Sequence, residues 1–137
     1  MKKNFIVDQG VYIMKDGKCF DLHNNYHFWE CNIIPIKAMI YLNWLKLERK
    51  WVNANDPTKI VMVFHNVSFF SISKDLVSEK IKTIQEIGYK EPDDKDLNWL
   101  NGDVNFESSY HIIFRFENDE FIRIEAEFAE VKESNSI

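Results

Sequence analysis

The stretch FIRIEAEF, residues 121–128, restricts the fold more than any other part of the chain. Ile122, Ile124, Ala126 and Phe128 alternate with Arg123, Glu125 and Glu127. Period two with one charged face describes a half-buried strand. The preceding YHIIFRF puts Tyr110, Ile112, Phe114 and Phe116 on one face, and Glu117-Asn118-Asp119-Glu120 forms a short polar link. Together they predict a β-hairpin over about 109–130.

The same alternation recurs upstream. In KIVMVFHNVSFFSIS, residues 59–73, Ile60, Met62 and Phe64 share one parity while Val67 and Phe69 share the other. A bulge or turn at His65-Asn66 would reconcile them. Strands at about 11–15 and 18–22 are joined by Asp16-Gly17, a strong hairpin signal. The stretch 33–52 reads as one long bent strand or two strands, with a slip of parity near Leu45, because a helix would scatter its charges all round. In DLVSEKIKTIQEIGY, residues 75–89, apolar residues at rough helical spacing predict a helix ending at Gly88, with a strand over 82–89 as the alternative. Then EPDDKDLNWLNGD forms a polar loop with two apolar anchors, Leu97 and Trp99.

Six to eight strands and at most one or two short helices predict a mainly β domain, α+β if 75–88 is helical. The architecture is an antiparallel two-layer sandwich or a curved sheet. A chain of 137 residues suits one domain, residues 1–133, with 134–137 frayed. Fifteen per cent aromatic residues supply ample core. The N-terminal apolar patch is interrupted by Asp8, Gln9 and Gly10, so neither a signal peptide nor a membrane span is expected, and the cytoplasm is the expected location. Cys19 and Cys31 are expected as free thiols.

Charge is unevenly distributed. Residues 1–90 carry 13 Lys and Arg against 9 Asp and Glu, a net +4, whereas residues 91–133 carry 4 against 13, a net −9. An acidic third of the chain disfavours nucleic acid and suits a basic protein partner. The candidate binding residues are Asp93, Asp94 and Asp96 with Trp99, and Glu117, Asp119, Glu120, Glu125, Glu127 and Glu130. Trp99 is expected to stay partly exposed as an aromatic anchor.

HNNYHFWEC, residues 23–31, is the densest reactive packet. His23, His27 and Glu30 would share a helical face suited to a divalent ion, but Asn24-Asn25 favours a turn between strands. A strand after that turn would put His27, Trp29 and Cys31 on one face and Glu30 on the other. No catalytic cysteine or serine motif, Walker loop or CXXC is present. Asp93, Asp94, Asp96 and Asp103 with Asn98 and Asn101 are oxygen-rich, but their spacing fits no EF-hand. No cofactor is expected.

The layout resembles small bacterial immunity proteins of polymorphic-toxin systems. The residues carrying the resemblance are IVMVFHNVSFFSI followed by IKTIQEIGY, the tryptophan loop LNWLNGD, and the closing YHIIFRFENDEFIRIEAEFAEV, over roughly residues 59–131. It implies a cytosolic binding protein that masks the active surface of a toxin, many such toxins being basic nucleases. The alternative is a small enzyme or a ligand- or metal-binding β-domain using His27, His65 or His111 with Glu30 or a cysteine. Self-association through an uncovered strand edge is a third expectation.

Overall fold

The computed structural model describes residues 1–74, 76 and 82–135. Its described part is mainly β, with ten strands and three single turns of 3-10 helix. The strands are β1 (Lys2–Lys3), β2 (Ile6–Asp8), β3 (Tyr12–Lys15), β4 (Lys18–Asp21), β5 (Tyr26–Ile34), β6 (Met39–Lys46), β7 (Lys59–Ile72), β8 (Ile84–Lys90), β9 (His111–Phe116) and β10 (Phe121–Ser134). The main sheet runs β5-β6-β7-β10-β9-β8, all neighbours antiparallel, with β1 added in parallel to β10. It curls into a half-barrel. Its two edges meet where the Phe28 amide donates to the Lys82 carbonyl at 2.9 Å. A small sheet, β2-β3-β4, lies beside it.

The curl encloses an aromatic core. Phe28 touches Trp44 and Phe116, each with ring centres 5.2 Å apart, and Phe114 bridges Trp44 and Phe64. These rings come from four different strands and are all buried. Burying each is worth roughly 1.5–3 kcal/mol, and edge-on or tilted contacts add to that. The small sheet contributes Val7, Ile13 and Phe20 to the same core.

The turns follow local chemistry. Asp16 and Gly17 both have positive φ, as a two-residue hairpin turn requires. The 109–130 hairpin forms as expected, turning through Glu117–Asp119. The expected irregularity at His65-Asn66 shows as φ +52 at Asn66, but the β7–β10 register slips further on, where Glu125 pairs with Phe69 and Ala126 with Val67. Val67 packs on the core while Phe69 is exposed on the other face, so the two do not share a face as expected. The 33–52 stretch is instead the end of β5, a 3-10 turn at Pro35–Lys37 and β6. The break falls at Pro35 because its fixed φ suits the first position of a tight turn, and Ala38 in the left-handed region completes the reversal. No slip of register occurs at Leu45; the one in this hairpin lies between Phe28 and Glu30.

The helix expected over 75–89 is corrected in part. Residues 75 and 77–81 lie outside the described residues, but Ile84–Lys90 is a strand. Ile84 and Ile87 are three apart, as on a helix, because the β8–β9 register shifts between Ile84 and Glu86. The extra residue lets both isoleucines face the core, so a bulge imitates helical spacing. Gly88 ends no helix. It sits within β8, where a Cβ would lie 2.5 Å from the Leu100 Cβ, so its bare backbone admits the returning loop. Among the described residues no helix is long and apolar enough to cross a membrane.

Candidate functional site

The outer face of β7, β10, β9 and β8 carries a short grid of polar side chains. Lys90 pairs with His111, Gly88 with Ile113, and Ile113 with Arg123. One further step of that register sets Glu125 opposite His111, and Glu125 itself pairs with Phe69. His111 stacks on Phe69 with ring centres 4.9 Å apart.

Residues 91–101 leave the end of β8 and fold back over this grid. Arg123, only 7% exposed, holds them there. Its Nη1 donates to the Asp94 carbonyl at 2.6 Å, and its Nη2 donates to those of Glu91 at 2.8 Å and Pro92 at 3.2 Å. Its Nε donates to His111 Nδ1 at 2.8 Å. A guanidinium is suited to this work because its donors lie in one rigid plane. The far end of the loop is fixed by a reciprocal pair of backbone bonds between Tyr89 and Asn101, each 2.9 Å.

Lys90 adds a third anchor. It is fully buried, its Nζ lying 3.1 Å from the centre of the Trp99 ring and 3.3 Å from Asp94 Oδ2. Trp99 thus covers an ammonium on one side and is 51% exposed overall, in line with the expected partial exposure. Trp29 and Trp51 are exposed as well, so exposure does not single Trp99 out. The Asp94 carboxyl is held below its ordinary range by the Asp96 amide first, then by Lys90 and Arg123. Asp96 accepts the Asn98 amide at 2.9 Å. Under the loop lies a cleft of about 260 Å³ lined by Phe69, Phe121, Pro92, Leu97, Lys95 and Arg123.

The ten expected binding residues do not form one continuous face. The loop group leaves the sheet beside His111, whereas Glu117, Asp119 and Glu120 lie at its opposite end, after Phe116. Glu130 lies ten positions along the chain from Glu120, which immediately precedes β10, up to about 33 Å at the usual rise of a strand. Glu127 accepts Asn66 Nδ2 at 2.8 Å, and Glu130 bonds His65 Nε2 at 2.7 Å. Glu125 is partly buried with Oε2 unpartnered, and burial pushes its carboxyl up while the N-terminal amine draws it down.

The histidines are dispersed. His23 Nδ1 bonds the Ile84 carbonyl at 2.6 Å, latching the turn before β5 to the start of β8. The irregularity after Phe28 corrects the expected facing in β5. His27 pairs with Leu45 and Glu30 with Asn43, so His27 and Glu30 share the outer face, while Cys31 packs against the core. Even so, no group of three or more His, Cys, Asp or Glu among the described residues could hold a metal ion. Asp103 lies apart from Asp94, bonded to the Val7 amide, the Tyr89 hydroxyl and Lys3.

Both thiols are free. Burial pushes Cys31 up to about 11, and burial with Asp8 and Asp21 raises Cys19. That direction is opposite to the one that activates a nucleophile.

Arg123, His111 and Lys90 are the residues that sequence reasoning did not assign to the loop. Arg123 in FIRIEAEF carries the signature of an exposed strand position. Only the return of the loop over the sheet buries it. Comparison with protein-family models, with curated proteins and with solved structures finds no match.

Proposed function

We propose that this chain is a non-enzymatic protein-binding domain that takes a basic partner on loop 91–101. The observation carrying this reading is the set of Arg123 bonds to three loop carbonyls. A buried guanidinium spent on ordering an external loop is a device for presenting that loop. Binding then costs less ordering entropy, and loops positioned by a rigid sheet commonly carry recognition. Trp99 supplies the aromatic anchor, and Asp93 and Asp96 supply charge that steers a basic surface.

The resemblance to immunity proteins makes that partner a toxin whose active surface the loop masks. The cytoplasm suits such a protein, and two free thiols, Cys19 being exposed, suit a reducing compartment. The described residues pair no strand with the outer edge of β5 past Phe28, and Trp29, Ile33 and Ile36 are exposed there. That edge is a second contact surface, open to self-association.

The test is affinity capture from the source lysate at low and moderate salt, with mass-spectrometric identification. The expected result is one basic protein, held by the wild type and lost by W99A and by the pair D93N/D96N. A partner captured equally by the wild type and both variants defeats the assignment of the loop.

A further inference from the structure

We propose that His111 is a pH-sensitive latch for loop 91–101, in which a proton on Nδ1 removes the acceptor that orients Arg123 and so frees the loop from the sheet. This rests on the loop being the binding surface, but its test needs no partner.

The geometry dictates the chemistry. Arg123 Nε can only donate, so His111 Nδ1 must be the unprotonated nitrogen and the ring proton must sit on Nε2. A second proton would turn the bond into a donor facing a donor, between two cations. Arg123 would have to rotate away. Its fork is planar and rigid, so the bonds from Nη1 and Nη2 to Glu91, Pro92 and Asp94 are lost together.

The groups around the ring set where this happens. From β10, Arg123 opposes the proton, and Glu125 lies opposite the ring by register. From β8, Lys90 is the paired neighbour. From the loop, Asp93 favours it, and the Asp94 carboxylate is shared with Lys90. Glu91 presents its backbone carbonyl to Arg123. From β7, Phe69 is neutral and covers the ring face. Arg115 lies further along β9, and the N-terminal amine acts on Glu125. Burial first and Arg123 next outweigh Asp93 and lower the affinity of the ring for a proton. The latch is therefore closed at neutral pH and opens below the ordinary histidine range.

Backbone hydrogen exchange, corrected for the intrinsic pH dependence, reads the loop directly. The amides of Asp94 and Asn101, bonded to Glu91 and Tyr89, should lose about tenfold or more of their protection between about pH 7.5 and 5, while amides of the β7–β10 ladder keep theirs. His111→Asn keeps an acceptor near the Nδ1 position without a titrating group, and should remove the pH effect. Should that variant not fold, ¹⁵N shifts of the wild-type imidazole serve instead, with Nδ1 gaining its proton at the same midpoint as the loop opens. Equal pH profiles in wild type and H111N, protonation of Nδ1 without loss of protection, or no pH effect at all would each overturn the latch. None of these outcomes bears on whether the loop binds a partner.

Discussion

The Lys90 ammonium lies 3.1 Å from the centre of the Trp99 ring, with no solvent on the lysine side chain. A buried cation under an exposed indole ties the stability of the loop to the residue proposed to meet the partner. Truncating Trp99 should therefore have a folding cost as well as a binding cost. W99A should destabilise the chain by about 1–3 kcal/mol, from lost cation–π attraction and an uncovered ammonium. Urea unfolding measures it, and an unchanged midpoint would show that the pairing contributes nothing.

Arg123→Met should cost about 3–5 kcal/mol, because it strands the three carbonyls and His111 in partly buried surroundings. Arg123→Lys keeps the charge but not the fork, and should recover less than half of that loss. Hydrogen exchange should place the damage in residues 91–101 before the core. Full recovery by lysine would mean that charge, not geometry, holds the loop.

Gly88→Ala puts a Cβ 2.5 Å from the Leu100 Cβ and 2.8 Å from the Asn101 carbonyl oxygen. Both contacts are too close for real atoms, so the loop must move outward. The expected cost is about 1–3 kcal/mol, the usual range for overpacking, seen as a lower Tm with the Tyr89–Asn101 amides exchanging faster. A Tm equal to wild type would mean the return of the loop is not close-packed.

Glu125 is an acid whose folded-state pKa is raised, chiefly by burial. Its ionised form therefore opposes folding above that value, and the penalty fades as pH falls through it towards the ordinary carboxylate range. Glu125→Gln should stabilise the chain at pH 7 by about 0.5 kcal/mol, a modest figure because the group is partly solvated. The gain should vanish near about pH 4. Denaturant titrations at both pH values check this, and a gain that grows on acidification would reverse the sign. Charge reversal at Glu125 would mix this folding effect with any effect on binding, so Asp93 and Asp96 are the cleaner probes of steering.

Much of the sheet was legible because strand chemistry is local. Asp16-Gly17, the alternation of β9 and β10, and the irregularity at Asn66 each announce themselves within a few residues. Ile84 and Ile87 misled for the same reason: a bulge gives them helical spacing, and only their pairing with Phe116 and Phe114 exposes it. The facing of His27 and Glu30 was misjudged through another irregularity, just after Phe28. In the candidate site, Trp99 and the aspartates were visible as a loop with an anchor. What holds them was not. His111 sits 12–18 residues and Arg123 24–30 residues away from them on other strands, and nothing in their own neighbourhoods marks them as buried. The spread of Glu117 to Glu130 along a strand was hidden likewise, because net charge carries no register.

The most direct measurement is a hydrogen-exchange footprint of the chain with and without the captured basic partner. Slowed exchange concentrated in residues 91–101, with the β5 edge unchanged, is the result predicted if the Arg123-anchored loop is the recognition surface. Protection falling on β5 or the small sheet, with loop 91–101 exchanging as in the free chain, would contradict it.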